Sequence, residues 1–295
     1  MNMKMLHKRL LEAVSLDPGS RGLLENIPAP DLDKAAELLE KANRIVLVTG
    51  FPITGMDIGE TDGPIGTVSL ASALQKSGKQ VWIATDPLSD GMTAACCDVL
   101  NLRGQMPPVF VATIDLKEGK EGCDALLELA KPDLIITLER PGKGRDGHFH
   151  NMRGQFIDHM TADTDSLLEA GIPVISVGDG GNELGMGNYF GIIEQFVNHG
   201  ALIAAEKCCT VPLAAGISNF WGWGLSALLS AIYKKDLMTT AFEEEALLEA
   251  CVKAGGVDGV LKEAILSVDG LAGGGIREVH VPIRAAMEDF LNTCK

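Results

Sequence analysis

The chain has 295 residues, 46% of them apolar and 5% aromatic, enough for a large core built mainly on Leu, Ile, Val and Ala. Its 25 Lys and Arg stand against 40 Asp and Glu, a net charge of −15. That balance argues against nucleic acid and anionic membranes as partners, since both are gripped through basic side chains. No apolar run reaches the ~18 residues of a membrane span. Met1–Leu11 lacks the apolar centre of a secretory signal and reads as an exposed starting helix. Seven cysteines, with vicinal pairs at Cys96-Cys97 and Cys208-Cys209, match no zinc or CxxC spacing. They read as reduced, mostly buried residues of a cytoplasmic protein.

Short β-branched runs alternate with helical patterns along the chain. Helix is predicted over Leu32–Ala42, strand over Arg44–Thr49, helix over Ile65–Ser77, strand over Gln80–Thr85 and helix over Met92–Leu102. Strand Val109–Ile114, helix Glu121–Ala130, strand Leu134–Leu138, helix Ser166–Ala170, strand Pro173–Val177 and helix Tyr189–Asn198 continue the alternation. Ala201–Ala205 is a weaker strand candidate and Thr210–Ala214 a further one. After Gly216 the pattern is helical, with Phe220–Lys234, Thr240–Lys253 and Pro282–Asn292. The expected fold is α/β: a mostly parallel, Rossmann-like sheet with helices on both faces and a helical C-terminal layer. Residues 1–30 read as an N-terminal helical extension and 31–295 as the α/β domain.

Ligands of open α/β sheets sit beyond the carboxyl ends of the strands, so the loops leaving the strands carry the functional reading. The first strand runs into TGFPITGMDIGETDGPIGT (Thr49–Thr67), where Glu60 and Asp62 precede a predicted helix. These acids suit a helix cap, a hard-metal ligand pair or a general acid and base. The glycines match neither GxGxxG nor the P-loop. The fourth strand empties into ERPGKGRDGHFHNMR (Glu139–Arg153), the densest basic stretch of an acidic chain. Its Arg140, Lys143 and Arg145, with His148, suit an anionic substrate. The fifth strand delivers GDGGNELGMG (Gly178–Gly187), whose five glycines surround Asp179, Asn182 and Glu183. An ordinary tight turn needs one or two glycines, so this loop reads as backbone pressed close to a ligand. In AGISNFWGWG (Ala215–Gly224), Ser218 suits an N-cap, while Asn219, Trp221 and Trp223 suit a pocket wall. The Gly-rich DGLAGGG (Asp269–Gly275) suits a segment closing over the site.

Four of these segments resemble, in order, the C-terminal domain of D-glutamate cyclase: Glu60–Thr67, Glu139–Arg153, Gly178–Gly187 and Ala215–Leu229. The resemblance covers roughly Leu32 to the C-terminus and implies a hydro-lyase that converts D-glutamate to 5-oxo-D-proline. It makes Asp179, Glu183, Glu60 and Asp62 the catalytic or metal-binding acids, with Mg²⁺ or Mn²⁺ as the cofactor they would hold. Arg140, Lys143, Arg145, His148, Asn182, Ser218 and Asn219 become the substrate-binding set. The expected partner is a small acidic substrate such as D-glutamate, and a homo-oligomer is the expected assembly. Two-part members of that family carry a further N-terminal domain, so a non-catalytic or regulatory module binding an acidic amino acid is the alternative. GDGGNE is also similar to the metal loop of haloacid dehalogenase-like phosphatases. No DxDG follows the first strand here, as their nucleophile requires.

Overall fold

The computed structural model describes residues 1–294. Its centre is a six-stranded sheet of β1 (Arg44–Thr49), β2 (Gln80–Thr85), β3 (Val109–Thr113), β4 (Leu134–Leu138), β5 (Val174–Gly178) and β6 (Val211–Ala214). The spatial order is β3-β2-β1-β4-β5-β6 and every pairing is parallel. This is the doubly wound order, in which the direction of winding reverses between β1 and β4 and opens a crevice at their carboxyl ends. Near-continuous Ile, Val and Leu in β1 and β4 follow from burial on both faces of the sheet.

Ten helices are described: α1 (Met3–Val14), α2 (Leu32–Lys41), α3 (Pro64–Lys76), α4 (Pro87–Val99), α5 (Gly119–Ala130), α6 (Phe190–Phe196), α7 (Gly200–Ile203), α8 (Asn219–Tyr233), α9 (Ala241–Lys253) and α10 (Val281–Asn292). The main core lies on one face, where Ile45, Leu47, Ile136 and Leu138 meet α3, α8 and the C-terminal helices. The opposite core is smaller, with Val46, Val48, Trp82 and Ile135 against Leu126 of α5 and Leu167. Helix starts follow local chemistry. Asp31 accepts from Lys34 N at 2.9 Å, Pro64 and Pro87 occupy first-turn positions, and Thr240 with Glu243 forms a reciprocal capping box.

Helix α8 is apolar on nearly every side because it is buried on nearly every side. It crosses α3 at two glycines. A Cβ on Gly222 would lie 2.2 Å from Gly66 O, and one on Gly66 would lie 2.6 Å from Asn219 Cα. Any larger residue would force apart the two helices whose first turns border the site.

The predicted strand at Ala201–Ala205 is instead the one-turn helix α7, a distinction that a short apolar run does not make by pattern alone. Its exit docks on the Gly-rich loop, with Ala205 N donating to Gly181 O at 3.0 Å. Ser166–Ala170 is a 3₁₀ turn over Asp165–Glu169. Helix α1 is not an exposed start: Leu6, Leu10 and Val14 repeat every four residues and are buried in the main core. No helix among the described residues is long and apolar enough to cross a membrane.

Candidate functional site

The loops leaving β1, β4 and β5 converge on the crevice and bring acids together. Glu139 directly follows β4. Its N–H continues the ladder to Val177 O at 3.2 Å, and its carbonyl receives Gly50 N at 3.1 Å. Its φ of +46° is a left-handed conformation that residues with a Cβ rarely adopt, and it redirects the chain at the sheet's edge. The carboxylate then accepts from Ser218 Oγ at 2.6 Å. Ser218, predicted as a cap by its side chain, therefore serves Glu139 instead.

Asp62 takes over the capping. Its oxygens accept from Ser218 N and Asn219 N, both at 2.8 Å, at the start of α8. Asn219 Oδ1 returns the favour to α3, accepting from Gly63 N at 3.0 Å and Gly66 N at 2.7 Å. Each helix N-terminus is thus satisfied by a side chain from the other, which fixes Asp62 beside the crevice.

In the Gly-rich loop, Glu183 turns back on its own backbone. Its oxygens accept from Gly180 N at 2.8 Å and Gly181 N at 2.7 Å. A Cβ at Gly178 would lie 2.3 Å from Glu183 Oε2, and Gly181 has a φ of +94°, so both positions require glycine. Glu183 is a brace that shapes the loop, and Asp179 is the member that reaches the cavity. Asp179 Oδ2 accepts from Arg21 Nη1 at 2.8 Å, and the other arm of the Arg21 guanidinium pairs with Asp269.

A cavity of about 210 Å³ opens at this edge, lined inside by Glu60, Glu139, Asp179, Asn182 and Asp269. Arg153, exposed, and Lys262, half-buried, line it too, together with apolar Phe51 and Val260. Asn182 donates to His150 O at 2.8 Å, leaving its buried Oδ1 without a protein partner. Ligand atoms of Asp62, Glu139 and Asp179 lie within 4.8 Å of one another, an all-oxygen group able to hold a metal ion.

So many acids cannot all stay ionised away from water. Burial pushes Asp62 up to about 7, reinforced by Asp269 and opposed by the Asn219 and Ser218 amides. Burial also lifts Glu139 well above the carboxylate range, with the charge of Asp179 adding to it. Asp179 is raised by burial against the pull of Arg21, and Glu60 by burial and then Asp269. Glu183 is raised by burial, while its loop amides restrain the shift. Like charges crowded in one dry site produce proton donors at neutral pH.

The basic loop contributes differently from the expectation. Arg140 is fully buried and spent on the framework, with Nη1 on Asp86 Oδ2 at 2.6 Å and Nη2 on Ala162 O at 2.5 Å. Lys143 pairs with Asp163, and the Arg145 guanidinium lies 3.6 Å from the Phe190 ring centre. His148 pairs with Asp158 at 3.2 Å, away from the cavity. Trp221 and Trp223 wall no part of this cavity: both are buried core residues, Trp221 anchored by Nε1 to Ala214 O at 2.8 Å. The cavity's cations are Arg21, Arg153 and Lys262. Arg21 had no local signal, being a lone cation in an irregular stretch. Asp269 lay in the Gly-rich segment expected to close over the site, and it does line the cavity.

This combination defines a class: a doubly wound α/β domain with an acid-rich cavity at its topological switch point. Residues 10–278 match the family described as D-glutamate cyclase-like, C-terminal, and the chain belongs to that family. It is similar to D-glutamate cyclase, mitochondrial, of Homo sapiens, with 30% identity over 246 residues. The match takes in 77% of this chain but 39% of the human protein, so the chain spans about two fifths of that relative.

Proposed function

We propose that the chain is a hydro-lyase that closes D-glutamate to 5-oxo-D-proline and water in this cavity. The observation that carries the reading is the pair of buried carboxylates, Glu139 and Asp179, in one cavity with the cations Arg153 and Lys262. An acidic interior suits the ammonium of an amino acid, and the cations Arg153 and Lys262 suit its carboxylates. The volume falls below the ~300–1,000 Å³ of drug-sized pockets and suits a small metabolite.

In the reaction the amine nitrogen attacks the γ-carboxyl carbon. A C–N bond forms, a C–O bond breaks, and two protons pass from nitrogen to the departing oxygen. Holding the folded conformer supplies much of the acceleration, because the step is intramolecular. Asp179, whose ionised form the Arg21 guanidinium favours, takes the first proton from the ammonium. The second leaves the nitrogen as the C–O bond breaks and ends on the departing water. Glu139, held by Ser218 and raised by burial, gives the proton to the leaving oxygen. Asn182 Oδ1, which has no protein partner, would accept from the ammonium. In place of those acid and base roles, the all-oxygen set of Asp62, Glu139 and Asp179 fits Mg²⁺ or Mn²⁺, which would polarise the γ-carboxyl group when bound. The seven free cysteines accord with a reducing compartment such as the cytoplasm.

A binding module for an acidic amino acid is the second reading, since the cavity and its charged lining would serve binding alone equally well. The phosphatase likeness draws no support from the geometry, because both Glu183 oxygens are bound to loop amides and no acid directly follows β1. Incubation with D-glutamate, with and without Mn²⁺, followed by chromatography for 5-oxoproline, tests the assignment. Product formation supports the enzyme. A thermal shift without product selects the binding module, and neither response defeats both.

A further inference from the structure

The segment between α1 and α2 has no regular structure, yet it is held in place at both ends. A Cβ on Gly216, at the end of β6, would lie 1.9 Å from Leu16 O, so the chain enters pressed against the sheet's edge. Leu23 is fully buried among Met186, Tyr189 and Ile193. Gly22 turns the chain at φ +87°, where a Cβ would meet Phe196 O at 2.5 Å. Between these anchors Arg21 projects into the cavity and joins two loops that share no other ion pair. Nη1 donates to Asp179 Oδ2 at 2.8 Å and to Gly216 O at 3.2 Å, while Nη2 takes Asp269.

We infer that Arg21 is a positioning residue that locks the loop 258–270 over the cavity and fixes the rotamer of Asp179. Its charge is already shared by two carboxylates, so it is not the group that binds a substrate anion. Asp258 supports the same reading from the far side. It is fully buried and accepts from Val260 N at 2.9 Å, Leu261 N at 2.8 Å and Gly270 N at 2.7 Å. These bonds make the loop one stiff unit that carries both Lys262 and Asp269. The tie at Asp269 joins two weaker holds on the same loop, Thr61 Oγ1 donating to Ser267 O at 2.9 Å and Lys262 Nζ donating to Thr54 O at 3.2 Å, and adds the charged anchor that sets where the loop lies. The geometry of an arginine fork is required: one lysine ammonium is a compact point charge that does not span two carboxylates in the same way.

The catalytic part of this inference rests on the proposed cyclisation, and the locking part does not. The test uses Arg21→Lys, Arg21→Ala and Asp269→Asn in the full chain. Hydrogen exchange should show faster exchange across 258–272 in all three, with β1 and α8 as protected as in the wild type. Turnover of D-glutamate should fall about 10–100-fold in Arg21→Lys through kcat, the range seen when a hydrogen-bonding partner behind a site's ligands is lost. Millimolar guanidinium should restore part of the rate to Arg21→Ala. Wild-type exchange across 258–272 in Asp269→Asn and Arg21→Lys overturns the lock. Wild-type kcat in Arg21→Lys, or failure of guanidinium to raise the rate of Arg21→Ala, overturns the positioning of Asp179. If the wild type itself makes no 5-oxoproline, the functional reading falls and the exchange data still decide the lock.

Discussion

Raising the pH from 5 to 6 should weaken the fold, and the sign follows from which state holds more protons. Buried Asp62 and Glu244 are pushed up to about 7, and Asp165 to about 6, each mainly by burial. In the unfolded chain these carboxyls titrate near 4. Between pH 5 and 6 the folded state therefore holds up to three protons that the unfolded state has released. His280 works the other way, since burial depresses it to about 4 while the unfolded side chain titrates near 6.5. For these four groups the net excess of about two protons corresponds to a loss of ~2.7 kcal/mol per pH unit, at 1.36 kcal/mol per proton per unit. Glu60, Glu139, Asp179 and Glu183 push in the same direction, and His7, lowered by burial, opposes them. Urea midpoints measured at pH 5, 6, 7 and 8 and constant ionic strength should fall steadily from pH 5 to pH 7. Glu139→Gln, which removes one of the crowded charges, should make the decline shallower. A midpoint that stays level or rises between pH 5 and 7 would refute the reasoning.

Asp179→Asn should abolish 5-oxoproline formation and lower the urea midpoint at pH 7.5, since it breaks the buried ion pair with Arg21, which keeps only its ion pair with Asp269. Glu183→Gln should instead destabilise by about 1.5–3 kcal/mol, the value of hydrogen bonds to a charged group, because an amide cannot accept from both Gly180 and Gly181. That loss would be read from the same denaturation curves. Arg153→Ala combined with Lys262→Ala should raise KM for D-glutamate by about tenfold or more with kcat nearly unchanged, the pattern of lost uniform binding.

The architecture was legible because burial on both faces leaves an unmistakable trace. Five β-branched runs between Gly, Pro and Asp became five parallel strands within a residue of their expected ends. The weaker run at Thr210–Ala214 became the edge strand β6, while the similar run at Ala201–Ala205 coiled into α7. The Gly-rich loop and the loop after β4 meet at the cavity, where Asp179 and Asn182 lie with Asn151 and Arg153. What local sequence could not convey was direction. Arg140 points inward to Asp86 while its neighbour Glu139 serves the cavity, and both sit in one conspicuous motif. Asp62 and Asn219 stand 157 residues apart, and only the packing of α3 on α8 makes each the other's cap. Arg21 carries no pattern at all, since its role comes from where a structureless segment passes.

A crystal structure of the protein with D-glutamate tests the central claim most directly. The ammonium is expected among Asp179, Glu139 and Asn182, with the carboxylates toward Arg153 and Lys262. D-Glutamate bound outside this cavity, or with its carboxylates among the acids, would contradict it.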